Sequence, residues 1–287
     1  MKRPLFAAAG LALLAISVAP VTIASASGPP LYNSAVAPAS VGNLPSVGAE
    51  AYAFNELGNQ VTLTDTHLGK VTVMLSSWGC QTGNWYSGNC GTTPGSTFPM
   101  TITFNVYNAP APNSNVPGSL IASITKPFNI PYRPSANYTH CTGTGPGGNA
   151  GKWWSSALNS CFNGKLVNIK FGFQVNLPST NVVYGIAYNT THYGYNPVGQ
   201  SAACFTGPGG CGYDSLNIAL SQDPTNVTAG GDPNPGTVFQ NSSIGSEYCD
   251  GGLAGTGTFR LDSPTINCWS VATGAPYYVP AVLLAHS

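Results

Sequence analysis

An all-β fold, specifically an antiparallel β-sandwich of jelly-roll type with long disulfide-clipped loops, follows from three observations. Apolar residues recur at every second position in about nine or ten separate runs, the period of half-buried strands. After the N-terminal segment no amphipathic helical window of useful length appears. The 35 glycines and 24 prolines break the chain often, while a 43% hydrophobic content is too high for a disordered polymer. Runs with one wet face and one apolar face belong to antiparallel sheets packed on a shared core. The absence of an internal repeat argues against a propeller or solenoid.

Residues 1–26 read as a signal peptide. Lys2 and Arg3 form the positive end, Leu5 to Val18 the apolar run, and Ala24-Ser25-Ala26 the cleavage site. Pro20, Thr22 and Ser25 cut that run below the roughly 20 apolar residues of a membrane span. No later stretch reads as a span, and the tail shows no recognisable sorting motif. Residues 27–47 form a Pro-, Ser- and Ala-rich stretch expected to be a flexible lead-in, and 48–287 a single sandwich domain.

The strands can be taken in order. Val61 and Leu63 alternate with Thr62 and Thr64, and Val71, Val73 and Leu75 with Thr72 and Met74. Ile102, Phe104 and Val106 form one face of the next run, and Thr101, Thr103, Asn105 and Tyr107 the other. Leu120, Ala122 and Ile124 continue the series, followed by Val167, Ile169, Phe171, Phe173 and Val175. In the run from Asn181, the large residues Val182, Tyr184, Ile186 and Tyr188 alternate with the small Val183, Gly185 and Ala187. Leu216, Ile218 and Leu220, then Phe259 and Leu261, then Tyr278 to Leu284 complete the set.

Between the strands lie four long loops, 78–99, 131–164, 189–213 and 221–255. The eight cysteines fall as four close couples, so nearest-neighbour pairing is expected: Cys80–Cys90, Cys141–Cys161, Cys204–Cys211 and Cys249–Cys268. Loops this rich in glycine and polar residues cannot hold themselves by burial, and a local clip supplies what they lack. No C-x-x-C or H-E-x-x-H spacing supports a zinc site, and no metal or cofactor is expected from these cysteines.

The loops also hold the candidate chemistry. Trp85, Tyr86, Tyr132, Trp153, Trp154, Tyr193, Tyr195, Tyr213, Tyr248 and Trp269 crowd them. An aromatic plane stacks on the apolar face of a sugar ring, while neighbouring amides and carboxylates bond its hydroxyls. Equally, such rings pack over loop bases with a polar tip left wet. The expected ligand-binding set is Trp85, Tyr86, Trp153, Trp154, His192, Tyr193, Tyr195 and Asp214.

Carboxylates are few: Glu56, Asp214, Glu247, Asp250 and Asp262 stand at strand edges or in loops. Glycoside hydrolysis needs two carboxyls facing each other, so an enzyme would draw on Asp214 with Glu247 or Asp250, and on His192 for proton transfer. Asp223, Asn226 and Asp232 offer oxygen ligands for Ca²⁺, without EF-hand spacing. There is no G-x-S-x-G elbow. The run before Lys152 misses the phosphate-loop pattern by one residue, and Trp153 stands where Ser or Thr is needed. Charged residues are only 6% of the chain and no Lys or Arg cluster exists, which argues against a nucleic-acid partner.

The segment GAEAYAFNELGNQVTLTDTHLGKVTVMLSSWGC resembles the opening of secreted bacterial choice-of-anchor-type extracellular domains. Together, SSWGC, FNIPYRPSA, GIAYNTTHYGY, CGYDSLN, YCDGG and GTFRLD resemble uncharacterised secreted actinobacterial β-sandwich proteins over nearly all of the chain after residue 26. The resemblance implies an exported, disulfide-bonded domain and brings no catalytic residues. Three functions stay open: a non-catalytic recognition module for glycan or a cell-wall surface, a polysaccharide hydrolase or lyase, and a structural envelope-surface protein.

Overall fold

The computed structural model describes residues 28–36, 45–49, 54–85, 87–144, 148–189, 216–223, 226–241, 258–261 and 277–287. Strands among them are β1 (Pro30–Asn33), β2 (Ser46–Gly48), β3 (Glu56–Thr62), β4 (His67–Ser77) and β5 (Thr97–Asn108). Next come β6 (Leu120–Pro131), β7 (Trp153–Ser155), β8 (Ser160–Phe162), β9 (Lys165–Asn176) and β10 (Asn181–Ala187). The last are β11 (Leu216–Asp223), β12 (Phe239–Gln240), β13 (Arg260–Leu261), β14 (Tyr277–Pro280) and β15 (Val282–Ala285).

One seven-stranded sheet runs β1-β15-β4-β11-β14, with β2 beside β11 and β9 beside β4. A six-stranded sheet runs β13-β12-β3-β10-β5-β6, and β7 and β8 form a small hairpin. Every pairing is antiparallel. The order β2-β11-β4-β9 in one sheet and β3-β10-β5-β6 in the other means that the chain keeps crossing between sheets. Two antiparallel sheets built from strands that alternate between them make an all-β, sandwich-like fold.

The alternation read from the sequence sets the core. Phe98, Met100, Ile102, Phe104 and Val106 of β5 point inward, as do Val182, Tyr184 and Ile186 of β10. Phe104 stacks on Tyr184 with ring centroids 5.7 Å apart, and meets Phe171 of the opposite sheet at 6.0 Å. Phe128 also reaches Phe171 across the sandwich, at 5.2 Å.

The lead-in expected at 27–47 is corrected where it is described. β1 pairs with β15 and β2 with β11, and both belong to the seven-stranded sheet. Leu31 and Tyr32 are adjacent and both fully buried, so this strand shows no period-2 pattern to read.

The order of strands starts and ends three of the long connections at one end, whereas 221–255 leaves β11 at the other end and contains β12. Loop 78–96 joins the end of β4 to the start of β5, and 132–164 joins the end of β6 to the start of β9. Residues 189–215 leave from β10 and return at β11, where the Tyr188 hydroxyl donates to the Leu216 carbonyl at 2.8 Å. Asn241 ties the exit of β12 to the same end, its side-chain oxygen accepting from the backbone N–H groups of Asn55 (3.0 Å) and Glu56 (2.9 Å).

Phe104→Ala removes the ring on which both sheets close, so unfolding stability should fall by about 3–5 kcal/mol. A denaturant titration reads this as a lower midpoint at unchanged slope. A loss below about 1 kcal/mol, the scale of an ordinary surface change, would place the core elsewhere.

Candidate functional site

At the loop end two clipped loops are locked to each other. Cys80–Cys90 closes the first and Cys141–Cys161 the second, with Cα atoms 5.2 and 5.7 Å apart. The Arg133 backbone N–H donates to Gly79 O at 2.9 Å, and the Ala136 N–H to Cys90 O at 2.9 Å. Gly88 and Gly151 meet backbone to backbone. A Cβ on Gly151 would stand 2.5 Å from the Gly88 Cα, and both residues hold positive φ, of 70° and 81°. Only glycine satisfies both demands.

Arg133 is a buried cation inside this junction, donating from Nη2 to Gly151 O at 2.7 Å. Burial pulls its pKa down to about 10, so the guanidinium stays charged at neutral pH.

The sequence-predicted rings divide here. Trp85 is 41% exposed and lies edge-on to Trp78, with centroids 4.8 Å apart. Trp153 is half-buried, donates its indole N–H to Gly164 O at 3.0 Å and tilts against Phe162 at 5.2 Å. Trp154 is half-buried and stacks on His140 at 4.7 Å. Trp153 therefore packs, while Trp85 presents a face to solvent. Tyr138, which the sequence did not single out, is 60% exposed and donates its hydroxyl to Gly88 O at 2.5 Å. Its signal was its place in the second loop, close to Cys141.

Tyr86, His192, Tyr193, Tyr195 and Asp214 lie outside the described residues, as do Glu247, Asp250 and the couples Cys204–Cys211 and Cys249–Cys268. Of the Ca²⁺ trio, the Asp223 side chain also lies outside them. Asp232 accepts from Asn59 Nδ2 at 2.9 Å and from the Asn234 N–H at 2.8 Å. Among the described residues no group of three His, Cys, Asp or Glu side chains stands close enough to hold a metal ion.

The outer face of the six-stranded sheet carries a second arrangement. Register places Glu56, Gly58 and Gln60 of β3, Gly185 of β10, and Thr103, Asn105 and Tyr107 of β5 on this face. Glu56 is 9% exposed, and its Oε1 accepts from Asn105 Nδ2 at 2.9 Å and from the Tyr107 hydroxyl at 2.8 Å. Ser123 extends the chain by donating to Asn105 Oδ1 at 2.7 Å.

Gly185 makes the space: a Cβ there would stand 2.0 Å from Glu56 Oε1. Burial raises the Glu56 pKa against the lowering effect of its two donors. Burial, then the neighbouring carboxyl, keeps the Tyr107 phenol protonated well above its ordinary range. Glu56 was among the carboxylates read from the sequence, and Asn105 and Tyr107 were on the outward face of their strand. Their meeting needed the register of β3, β10 and β5.

Beside this cluster the same face opens into a groove of about 550 Å³. Its lining includes Asn55, Pro99, Thr101, Thr103, Pro127, Ala187 and Asn189.

No protein-family model matches the chain. Neither the curated proteins nor the solved structures include a match to it.

Glu56 gives a pH test. Its folded-state pKa is raised, so the native state holds the proton more tightly than the unfolded chain does. The stabilisation is present at low pH and is lost as pH rises from about 4.5 through the raised value. Glu56→Gln keeps an acceptor for Asn105 and Tyr107 and cannot ionise. Thermal melts of the variant should therefore decline less than those of the wild type over this rise in pH. Parallel curves would show that Glu56 ionises as freely folded as unfolded.

Proposed function

We propose that this protein is an exported recognition module that binds a neutral glycan or cell-wall surface through the interlocked, disulfide-clipped loops. The observation that carries this reading is the pair of exposed rings on those loops: Trp85 at 41% and Tyr138 at 60% exposure. Both belong to loops held together by their backbones. Rings already fixed in place lose little freedom on binding, which lowers the ordering cost of stacking on a sugar. Tyr and Trp supply broad contact area with few rotatable bonds. The signal segment and the disulfides support export, since such bonds persist in oxidising compartments. No helix among the described residues is long and apolar enough to cross a membrane.

Trp85→Ala should weaken retention on an insoluble polysaccharide or cell-wall preparation at least tenfold, with the melting temperature nearly unchanged. Trp153→Ala should do the reverse, lowering the melting temperature by several degrees because its ring packs and bonds Gly164. Retention unaffected by both Trp85→Ala and Tyr138→Ala would favour the structural envelope reading. Release of soluble sugar during the assay would favour the hydrolase or lyase.

A further inference from the structure

We propose that the groove on the outer face of the six-stranded sheet is a second subsite, taking a short run of a neutral, hydroxyl-rich sugar chain. It rests on the glycan reading above and extends it from the loop rings to the sheet.

The groove exists because of residue size. β10 sends Tyr184 and Ile186 into the core and leaves Gly185 and Ala187 outside. On β5 the outward row is Pro99, Thr101 and Thr103, with Pro127 of β6 opposite Thr101. Across the sheet, Thr103 stands beside Ala187 on one side and Thr125 on the other. Long charged side chains, the usual covering of a wet sheet face, would fill this space. Short ones leave about 550 Å³, within the range of roughly 300–1,000 Å³ typical of small-molecule sites. The row from Pro99 to Thr103 runs about 13 Å at about 3.3 Å per residue, an elongated floor.

Its chemistry selects the ligand class. Among the described residues, no Lys, Arg, His, Asp or Glu lines the groove. An ionic ligand would lose water there without gaining a counter-charge, a cost of several kcal/mol per ion. The lining offers amides and hydroxyls instead. Asn55 Nδ2 stands 3.4 Å from Asn189 Oδ1, a weak bond that a ligand hydroxyl can replace. Thr103 is tied to Thr125 at 2.8 Å and presents a hydroxyl that both gives and accepts. Pro99, Pro127 and Ala187 add C–H surface beside these polar groups. C–H patches beside hydroxyl and amide partners match a pyranose chain, whose own surface carries both C–H faces and hydroxyls.

Position joins the two subsites. β5 begins directly after the first clipped loop, and β6 runs directly into the second. The groove lies along the first residues of β5 and the last residues of β10, so it opens at the end where the rings stand.

The test uses the full chain, neutral hexasaccharides (gluco-, xylo-, manno- and N-acetylglucosamine-based) in isothermal titration, and the insoluble preparation in a retention assay. Thr101→Arg places a long cation over the floor from an exposed position. Thr62→Arg adds the same charge at the opposite end of the same sheet, also at an exposed position. Wild type should bind at least one hexasaccharide, Thr101→Arg should bind it at least tenfold more weakly, and Thr62→Arg should match wild type, all with equal melts. Ala187→Leu, which fills the groove without charge, should reproduce the loss.

Hexasaccharide binding that ignores both Thr101→Arg and Ala187→Leu overturns the proposal. So does the absence of hexasaccharide binding when the insoluble preparation is retained through Trp85, and in that case the loop reading survives. Hexasaccharide binding lost in Thr101→Arg but indifferent to Trp85→Ala, in both assays, keeps the groove and removes the loops. No binding in either assay overturns both.

Discussion

The two-sided character of β10 is the constraint on which the rest depends. A strand in the middle of a six-stranded sheet must satisfy two environments at once, because successive side chains point to opposite faces. Here one face carries large side chains and the other small ones. Tyr184 stacks on Phe104 in the core, and immediately beside it Gly185 leaves room for the Glu56 carboxyl. A one-residue slip in register would put a tyrosine where no side chain fits and remove the ring on which the sheets close. Core stability and the shape of the outer surface are therefore set by the same seven residues of Asn181–Ala187.

The loops follow a different rule. They bury little apolar surface and are held instead by covalent clips, a buried guanidinium and a glycine-to-glycine backbone contact. Such fixing acts on conformational freedom rather than on burial, and side chains such as Trp85 and Tyr138 stay partly exposed to water. A sandwich that carries rigid loops at one end is well suited to recognition, because the scaffold bears the stability and the loops bear the contact surface.

Much of the fold was legible because long strands advertise themselves. β5 and β9, each of 12 residues, alternate clearly and were read close to their observed positions. The short strands were not. β1, β2, β12 and β13 have between 2 and 4 residues, too few for a period to show, and are placed by their backbone pairing with β15, β11, β3 and β12. At the site, Trp85 was legible as a loop ring, but residue type alone could not separate it from Trp153, whose indole N–H found a carbonyl partner. Glu56 lies 49 positions from Asn105 and 51 from Tyr107, and only strand register brings it to them.

The most direct measurement of the central claim, that one end of this sandwich is the recognition surface, is amide hydrogen exchange with and without bound polysaccharide. Protection should appear in peptides covering 78–91, 136–155, 99–103 and 185–189, and leave 63–66 and 109–119 at the far end unchanged. Protection confined to the far end, or to β1 and β15 of the seven-stranded sheet, would contradict the account.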